Sequence, residues 1–230
     1  MHLLHVDDAL VVVVKDAGLL VHPQAGGPRE RTVLQWARDA TGGAHLFPVH
    51  RLDRGASGVL VLARSAEIAA RVHPQFEDGQ AEKTYLAAVR GAPAEDSGVI
   101  DHPIPRREGG PRVPACTAYR KIEVVTVAFV DREGVERAQP YALVEARPRS
   151  GRWHQVRRHL KHAGHPLLGD ADHGRGEHNR FCRQRYGLER LALHAAALEI
   201  DHPASGERVR FAAPLPEDLR APLGRMGFSV

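Results

Sequence analysis

The string His50-Arg51-Leu52-Asp53-Arg54-Gly55-Ala56-Ser57-Gly58 is where residue types and spacing most favour chemistry. It sets one carboxylate between two arginines, in a turn that holds two glycines and a serine. Opposite charge a few ångströms away keeps a carboxylate ionised even when partly buried, available as a nucleophile or base. A surface ion pair would use the same residues, because structural pairs perturb carboxylates as readily as catalytic ones do. A second constellation is Ser150-Gly151-Arg152-Trp153-His154-Gln155-Val156-Arg157-Arg158-His159. Helix N-terminal amides plus arginines make either an anion site or a solvated basic face. The third is Lys83-Thr84-Tyr85. An accessible Tyr85 ring would stack on a nucleobase, a contact worth about 1–3 kcal/mol, whereas a half-buried one would serve a strand.

Fifteen histidines raise the question of a metal. His159, His162 and His165 recur at i, i+3 and i+6, but the last lies beyond Gly164 and just before Pro166, and no His-Glu-x-x-His string exists. Cys116 and Cys182 stand far apart with no Cys-x-x-Cys pairing, which excludes a disulfide framework and a four-cysteine zinc site. Gly26-Gly27 and Gly109-Gly110 match neither a P-loop nor a dinucleotide fingerprint. The expectation is therefore no metal and no cofactor.

Composition narrows the class. The 230 residues carry 32 Lys+Arg against 28 Asp+Glu, a net charge of +4, with 43% hydrophobic and 26% charged residues, which suits a folded chain and not a disordered one. The longest strictly apolar run, residues 9–14, is far short of the ~20 residues that span a bilayer. Asp7 and Asp8 stand where a secretory signal would be basic and then apolar, so a reducing cytoplasm and no membrane association are expected. Of the basic residues 28 are Arg and four are Lys. Residues 146–169 hold no acidic side chain while Arg147, Arg149, Arg152, Arg157, Arg158 and Lys161 fall there, a stripe that attracts a polyanion.

The elements that must position these residues follow from period and punctuation. Strands are expected at residues 3–6 and 10–14, the second too apolar for an exposed strand. Thr32-x-x-Gln35 is a capping box that should start a helix running to about Ala40. A buried strand is expected at 59–63, a helix capped by Ser65 reaching toward Gln75, and a strand at 84–90. Residues 91–114, rich in Pro and Gly, read as loop and short edge structure. Residues 122–130 and 141–146 read as a hairpin around a polar turn at 131–137. Trp153, Val156, Leu160 and Ala163 mark the apolar face of a third helix that Gly164 stops, and strands are expected at 191–200 and 208–212 around a turn at 202–206. Strands outnumber helices, which predicts an α+β fold with a predominantly antiparallel mixed sheet and a few packed helices.

The separated strings also occur in a familiar order. His50-Arg51-Leu52-Asp53 with Ser57-Gly58, Lys83-x-Tyr85, Gly151-Arg152-x-His154-Gln155-Val156-Arg157, His165-Pro166-Leu167-Leu168-Gly169-Asp170 and Leu191-x-Leu193-His194-Ala195 together resemble the RluA-type pseudouridine synthases. The resemblance runs from Lys15-x-x-Gly18 and Val21-His22-Pro23 to Pro214. The string from His173-Gly174 through Asn179-Arg180, with Gly187-Leu188-x-Arg190-Leu191, is similar to the tRNA-acting branch. The resemblance implies that Asp53 is the catalytic aspartate, Tyr85 the ring on the target base, Arg157 the ionic partner of the aspartate and Leu193 a packing residue under the base. It implies substrate contacts from Arg51, Arg54, Arg152 and His154, no cofactor, and a single catalytic domain over residues 1–230, acting as a monomer without an appended N-terminal RNA-binding module. Two positions depart from the family's usual pattern. Asp16 stands where Pro usually follows Lys15, and Gly55-Ala56 where Pro-Thr or a similar pair precedes Ser57, changes that predict looser loops.

The expected activity is isomerisation of a uridine in RNA. The substrate expected is tRNA at the T stem, with large-subunit ribosomal RNA as the alternative. Breaking N1–C1′, turning the uracil and rejoining it through C5 involves no net redox change. It needs a carboxylate, a cation that keeps it ionised and a platform for the detached ring. Two rivals use the same sequence differently: a non-catalytic RNA-binding protein of the same fold, and a metal-dependent hydrolase that recruits the histidines.

Overall fold

The computed structural model describes residues 1–23, 30–131 and 133–230. Gly26-Gly27 and the hairpin-turn residue Arg132 lie outside the described residues. In chain order the elements are β1 (His2–Val6), β2 (Leu10–Lys15), α1 (Val33–Ala40), β3 (Phe47–Pro48), β4 (Ser57–Ala63) and α2 (Ala66–Glu77), then β5 (Glu82–Arg90), β6 (Ser97–Asp101), β7 (Ile104–Pro105), β8 (Arg112–Val113), β9 (Cys116–Val130) and β10 (Glu136–Pro148). The chain continues through α3 (Gln155–His162), α4 (Gly176–Tyr186), β11 (Leu193–Asp201), β12 (Arg208–Ala212) and α5 (Glu217–Met226). This is the α+β, mostly antiparallel architecture expected.

Two compact units divide the chain. The first comprises Met1–Lys83 and Ala195–Pro214, the second Thr84–His194 and Leu215–Val230. The chain passes from one to the other three times, so no contiguous linker marks the division.

In the first unit β2 pairs antiparallel with β1 on one side and β4 on the other, and β11 carries β12. Every residue of β2 and of β4 is buried, which is why Leu10–Val14 and Val59–Ala63 are apolar without alternation. Their side chains join those of α2, β11 and β12 in one core around Val12, Val61, Val72, Leu198 and Ile200. Burying each such aliphatic side chain contributes about 1.5–3 kcal/mol. The capping box forms as read: the Thr32 hydroxyl accepts from the Gln35 amide and the Gln35 side-chain oxygen accepts from the Thr32 amide. Gly58, at φ +118°, lies where β4 meets β11 so closely that a Cβ there would stand 2.2 Å from the Ala195 carbonyl oxygen.

In the second unit β9 and β10 form a long twisted hairpin, with β5 on the far side of β10 and β6 on the far side of β9. Helices α4 and α5 cover Ala88, Tyr141 and Leu143 of this sheet with Cys182, Leu219, Leu223 and Met226. Three features depart from the sequence expectation. The hairpin strands run further than expected, to Cys116 and Pro148. Two helices, α4 and α5, stand where none was read. Trp153 does not lie on the apolar face of α3, because the helix starts at Gln155 and His154 takes a left-handed backbone conformation, φ 52°, that turns the chain before it. Val156 and Leu160 are the buried residues of that face.

Candidate active-site loops

In the first unit, Asp53 lies half-buried in the turn that leads into β4. Its carbonyl accepts from the Ala56 amide at 3.1 Å, closing the turn. The turn is tied to the end of β2 by Lys15, which is fully buried and donates from Nζ to the carbonyls of Asp16 at 2.9 Å and Arg54 at 3.1 Å. The Gly18 amide donates to the same Arg54 carbonyl at 2.8 Å. The side chain of Arg54 completes the clamp from outside, donating from Nε to the Gly18 carbonyl at 2.9 Å and pairing with Glu30 at 2.9 Å. Arg51 is exposed. At the two departures from the family pattern the structure supplies other ties: the Asp16 carboxylate meets the N-terminal ammonium, and Ala56 is buried within the turn. Before the turn, His50 accepts from the Val61 amide through Nε2 at 3.0 Å and stacks on Phe76 at 4.4 Å. Burial, reinforced by the charge of Lys83, pushes its pKa down to about 3, so its ring is neutral and serves as a fixed prop.

In the second unit, Tyr85 stands half-buried on β5 opposite Ala146 of β10. Leu193, at the first position of β11, is buried, and its carbonyl accepts from Arg190 at 3.2 Å. The turn before α3 gathers Arg152, His154 and Arg157. Gln155 organises it, its side-chain oxygen accepting from the Ser150 hydroxyl and the Arg152 amide while its NH2 donates to the Cys116 carbonyl and the Thr117 hydroxyl. His154 contacts His173 through ring nitrogens 3.1 Å apart.

Arg157 is almost wholly buried and carries a carboxylate fork that the sequence did not assign. Its Nε donates to one oxygen of Asp170 at 2.8 Å and its terminal NH2 to the other at 2.6 Å, with Asp172 at 2.7 Å beyond. Two parallel bonds to one carboxylate fix the plane of a guanidinium as well as its position. Asp170 is itself inaccessible. Burial alone would raise its pKa, but the hydrogen bonds from Arg157 and the His173 amide, with the charge of Arg157, outweigh that and bring it below the usual carboxylate value. The segment is pinned by Asn179 of α4, which donates to the Asp170 carbonyl at 2.8 Å and accepts from the Gly169 amide at 2.9 Å. Gly169, at φ +70°, has no room for a Cβ, which would lie 1.9 Å from the Arg190 carbonyl oxygen.

Residues 9–162 match the sequence family described as RNA pseudouridylate synthase. The chain belongs to the RNA pseudouridylate synthase family. It is 38% identical to a tRNA pseudouridine synthase C of Vibrio cholerae, over 99% of this chain and 96% of that protein, and 38% identical to one of Salmonella typhimurium, over 99% and 90%. Among solved structures it superimposes on human RNA pseudouridylate synthase domain containing 4 with a TM-score of 0.74 and 29% identity, covering 97% of this chain and 92% of that one. Human RNA pseudouridylate synthase domain containing 1, at 24% identity and a TM-score of 0.72, shares the fold. Membership makes this protein an RNA pseudouridine synthase, an isomerase. No described helix is long and apolar enough to cross a membrane.

Against this background the residues that sequence reasoning passed over are Lys15, Asp170, Asp172 and Asn179. Lys15 and Asp170 stood inside quoted motifs without a role. Their signal was available in principle: a buried arginine requires a carboxylate, and Asp170 closes the run Pro166-Leu167-Leu168-Gly169 where a charged side chain has no other reason to be.

Proposed function

We propose that this synthase isomerises a uridine in the T stem of tRNA, with Asp53 as the catalytic carboxylate, Arg157 as the cation that keeps it ionised and Tyr85 as the ring that stacks on the base. The observation that carries the assignment of Asp53 is its turn, a functional-type carboxylate on a loop clamped by a fully buried lysine. Loops are ordinarily the variable parts of a fold, and burying an ammonium to hold one is a cost that positioning of Asp53 explains. In the reaction the N1–C1′ bond breaks, the uracil turns while held on Tyr85, C5 bonds to C1′, C5 loses its proton and N1 gains one. Leu193 packs beneath the base. Arg51, Arg54, Arg152 and His154 serve the RNA, Arg54 chiefly through the loop it braces. A base inside a stem must first leave its stack, which the basic residues assist by holding the backbone. The tRNA substrate is supported by the names of the relatives, which match over nearly their whole length.

Asp53→Asn tests this. It removes the ionised oxygen and keeps size and polarity, so isomerisation of a tRNA transcript should be lost while affinity for the transcript stays within about twofold. Turnover comparable to the wild type would reject the role of Asp53. Pseudouridine mapping in cells lacking the gene tests the target: loss of a ribosomal RNA pseudouridine with every T stem still modified would reject the tRNA assignment.

A further inference from the structure

We propose that Arg158 and Arg112 form a binding site for one backbone phosphate of the RNA substrate, built around the Trp153 ring and separate from the groups assigned to the chemistry. The guanidinium carbon of Arg158 lies 4.1 Å from the centre of the Trp153 ring, which also stacks on His154 at 4.6 Å and meets His173 edge-on at 6.4 Å. A planar cation laid on an indole is held flat and loses little further freedom when it binds an anion. Trp153 is in the turn before α3 and contributes nothing to the helix's apolar face, so its large ring has a purpose other than core packing.

The charges around this pair are unbalanced. Arg157, one residue away, is matched by Asp170 and Asp172. Among the described residues neither Arg158 nor Arg112 makes an ion pair with any carboxylate, and the buried Nε of Arg158 has no hydrogen-bond partner. Arg112, on β8, instead donates to the His102 ring at 3.1 Å, and that ring stacks on His162 at 3.7 Å. As an acceptor toward Arg112 the His102 ring is neutral, so Arg112 is oriented without being neutralised. His162 follows Arg158 by four residues on α3, on the same face, so the His102 ring stacked on it brings Arg112 beside Arg158, and the two cations repel each other, with Arg157 adding to the repulsion and Glu108 opposing it. Concentrating cations this way is costly unless an anion is brought to them. A phosphodiester oxygen supplies that charge and accepts from both guanidinium groups, and RNA is the polyanion this family acts upon.

Using tRNA as the probe rests on the proposed substrate. Affinity of a labelled tRNA transcript should be measured for the full chain and for Arg158→Ala, Arg112→Ala and the double variant between 50 and 300 mM KCl, with melting curves for each. One phosphate contact contributes about 0.9 to the slope of log K against log salt. Each single variant should lower the slope by about one and weaken binding roughly tenfold at low salt, and the double variant should lose no more slope than either single, because both residues serve one phosphate. Arg158→Lys should keep most of the slope while binding more weakly, since charge remains and the flat stack is lost. Slopes unchanged in both alanine variants would overturn the site, and a double variant losing about two would overturn the shared phosphate. If Arg158→Ala fails to fold, Arg112→Ala, on the short β7–β8 hairpin, carries the test alone. Isomerisation of the same transcript by the wild type is followed in parallel: its absence rejects the tRNA assignment, whereas the salt slopes judge the phosphate site.

Discussion

Replacing Lys15 with methionine asks whether the buried ammonium holds the Asp53 turn or merely stabilises the protein. Methionine occupies a similar stem volume, so no cavity of consequence opens and the packing of β2 against β4 survives. What disappears are the charge-assisted bonds to the carbonyls of Asp16 and Arg54, at 2.9 and 3.1 Å. Hydrogen bonds to charged groups contribute about 1.5–3 kcal/mol each, so roughly 3–6 kcal/mol is lost. Against this stands the release of an ammonium from burial, worth several kcal/mol. The two nearly cancel, leaving a net destabilisation of about 1–2 kcal/mol, a fall in Tm of roughly 2–8 °C for a chain of this size. The rate should respond far more strongly. Arg54 follows Asp53 directly, and a shift of about 1 Å in a reacting group costs on the order of a hundredfold. Lys15→Met should therefore lower kcat on a tRNA transcript about a hundredfold at a temperature where the variant is fully folded, with KM changed little. A kcat within threefold of the wild type, with folding confirmed by circular dichroism, would refute the clamp.

Arg157→Leu removes the fork from Asp170 and leaves an inaccessible carboxylate without its cation, so stability should drop by about 3–5 kcal/mol in urea titrations; an unchanged midpoint would show that Asp170 is satisfied without it. Gly58→Ala places a Cβ 2.2 Å from the Ala195 carbonyl oxygen at a φ only glycine tolerates well, and should cost more than about 3 kcal/mol or prevent folding, where a loss below 1 kcal/mol would mean that the two strands can separate. Acid stability should follow two histidines, both lowered chiefly by burial: His50 to about 3, with Lys83 contributing, and His178 to about 4, with Arg90 contributing. The unfolded chain takes up these protons near pH 6.5 and the folded chain does not, so stability is full above pH 6.5 and declines as pH falls toward 4, by up to about 1.4 kcal/mol per pH unit for each histidine. Calorimetry between pH 7 and 5 that gave a flat Tm would contradict this.

The elements legible in the sequence are those whose signals are local. Thr32 and Gln35 sit three residues apart and cap α1 as their spacing demands, and the alternation of the hairpin shows without knowledge of its neighbours. Helix α4 is polar throughout most of its length, with Arg175 as its first flanking residue and no side-chain cap, so periodicity had little to register. Helix α5 starts after Pro216 and contains Pro222, residues that read as interruption. The candidate site divides in the same way. Asp53, Tyr85 and Arg157 lie in strings of recognisable order, while the contacts that fix them come from far along the chain: Lys15 reaches a carbonyl 39 residues away, and Asn179 reaches back to Asp170 from α4. Spacing cannot encode contacts made only after the chain has folded on itself.

The division of the chain has a consequence for synthesis on the ribosome. The first unit begins with residues 1–83 but is completed only by Ala195–Pro214, which emerge after the whole intervening stretch of the second unit. At about 5–20 residues per second, that delay is on the order of ten seconds. Throughout it β4, apolar and destined to lie beside β11, presents an edge that β3 pairs only at Leu62 and Ala63. The nascent chain is therefore most prone to mispairing before Ala195–Pro214 appear, and slowing translation across residues 84–194 should lower the yield of folded enzyme more than slowing it after Pro214.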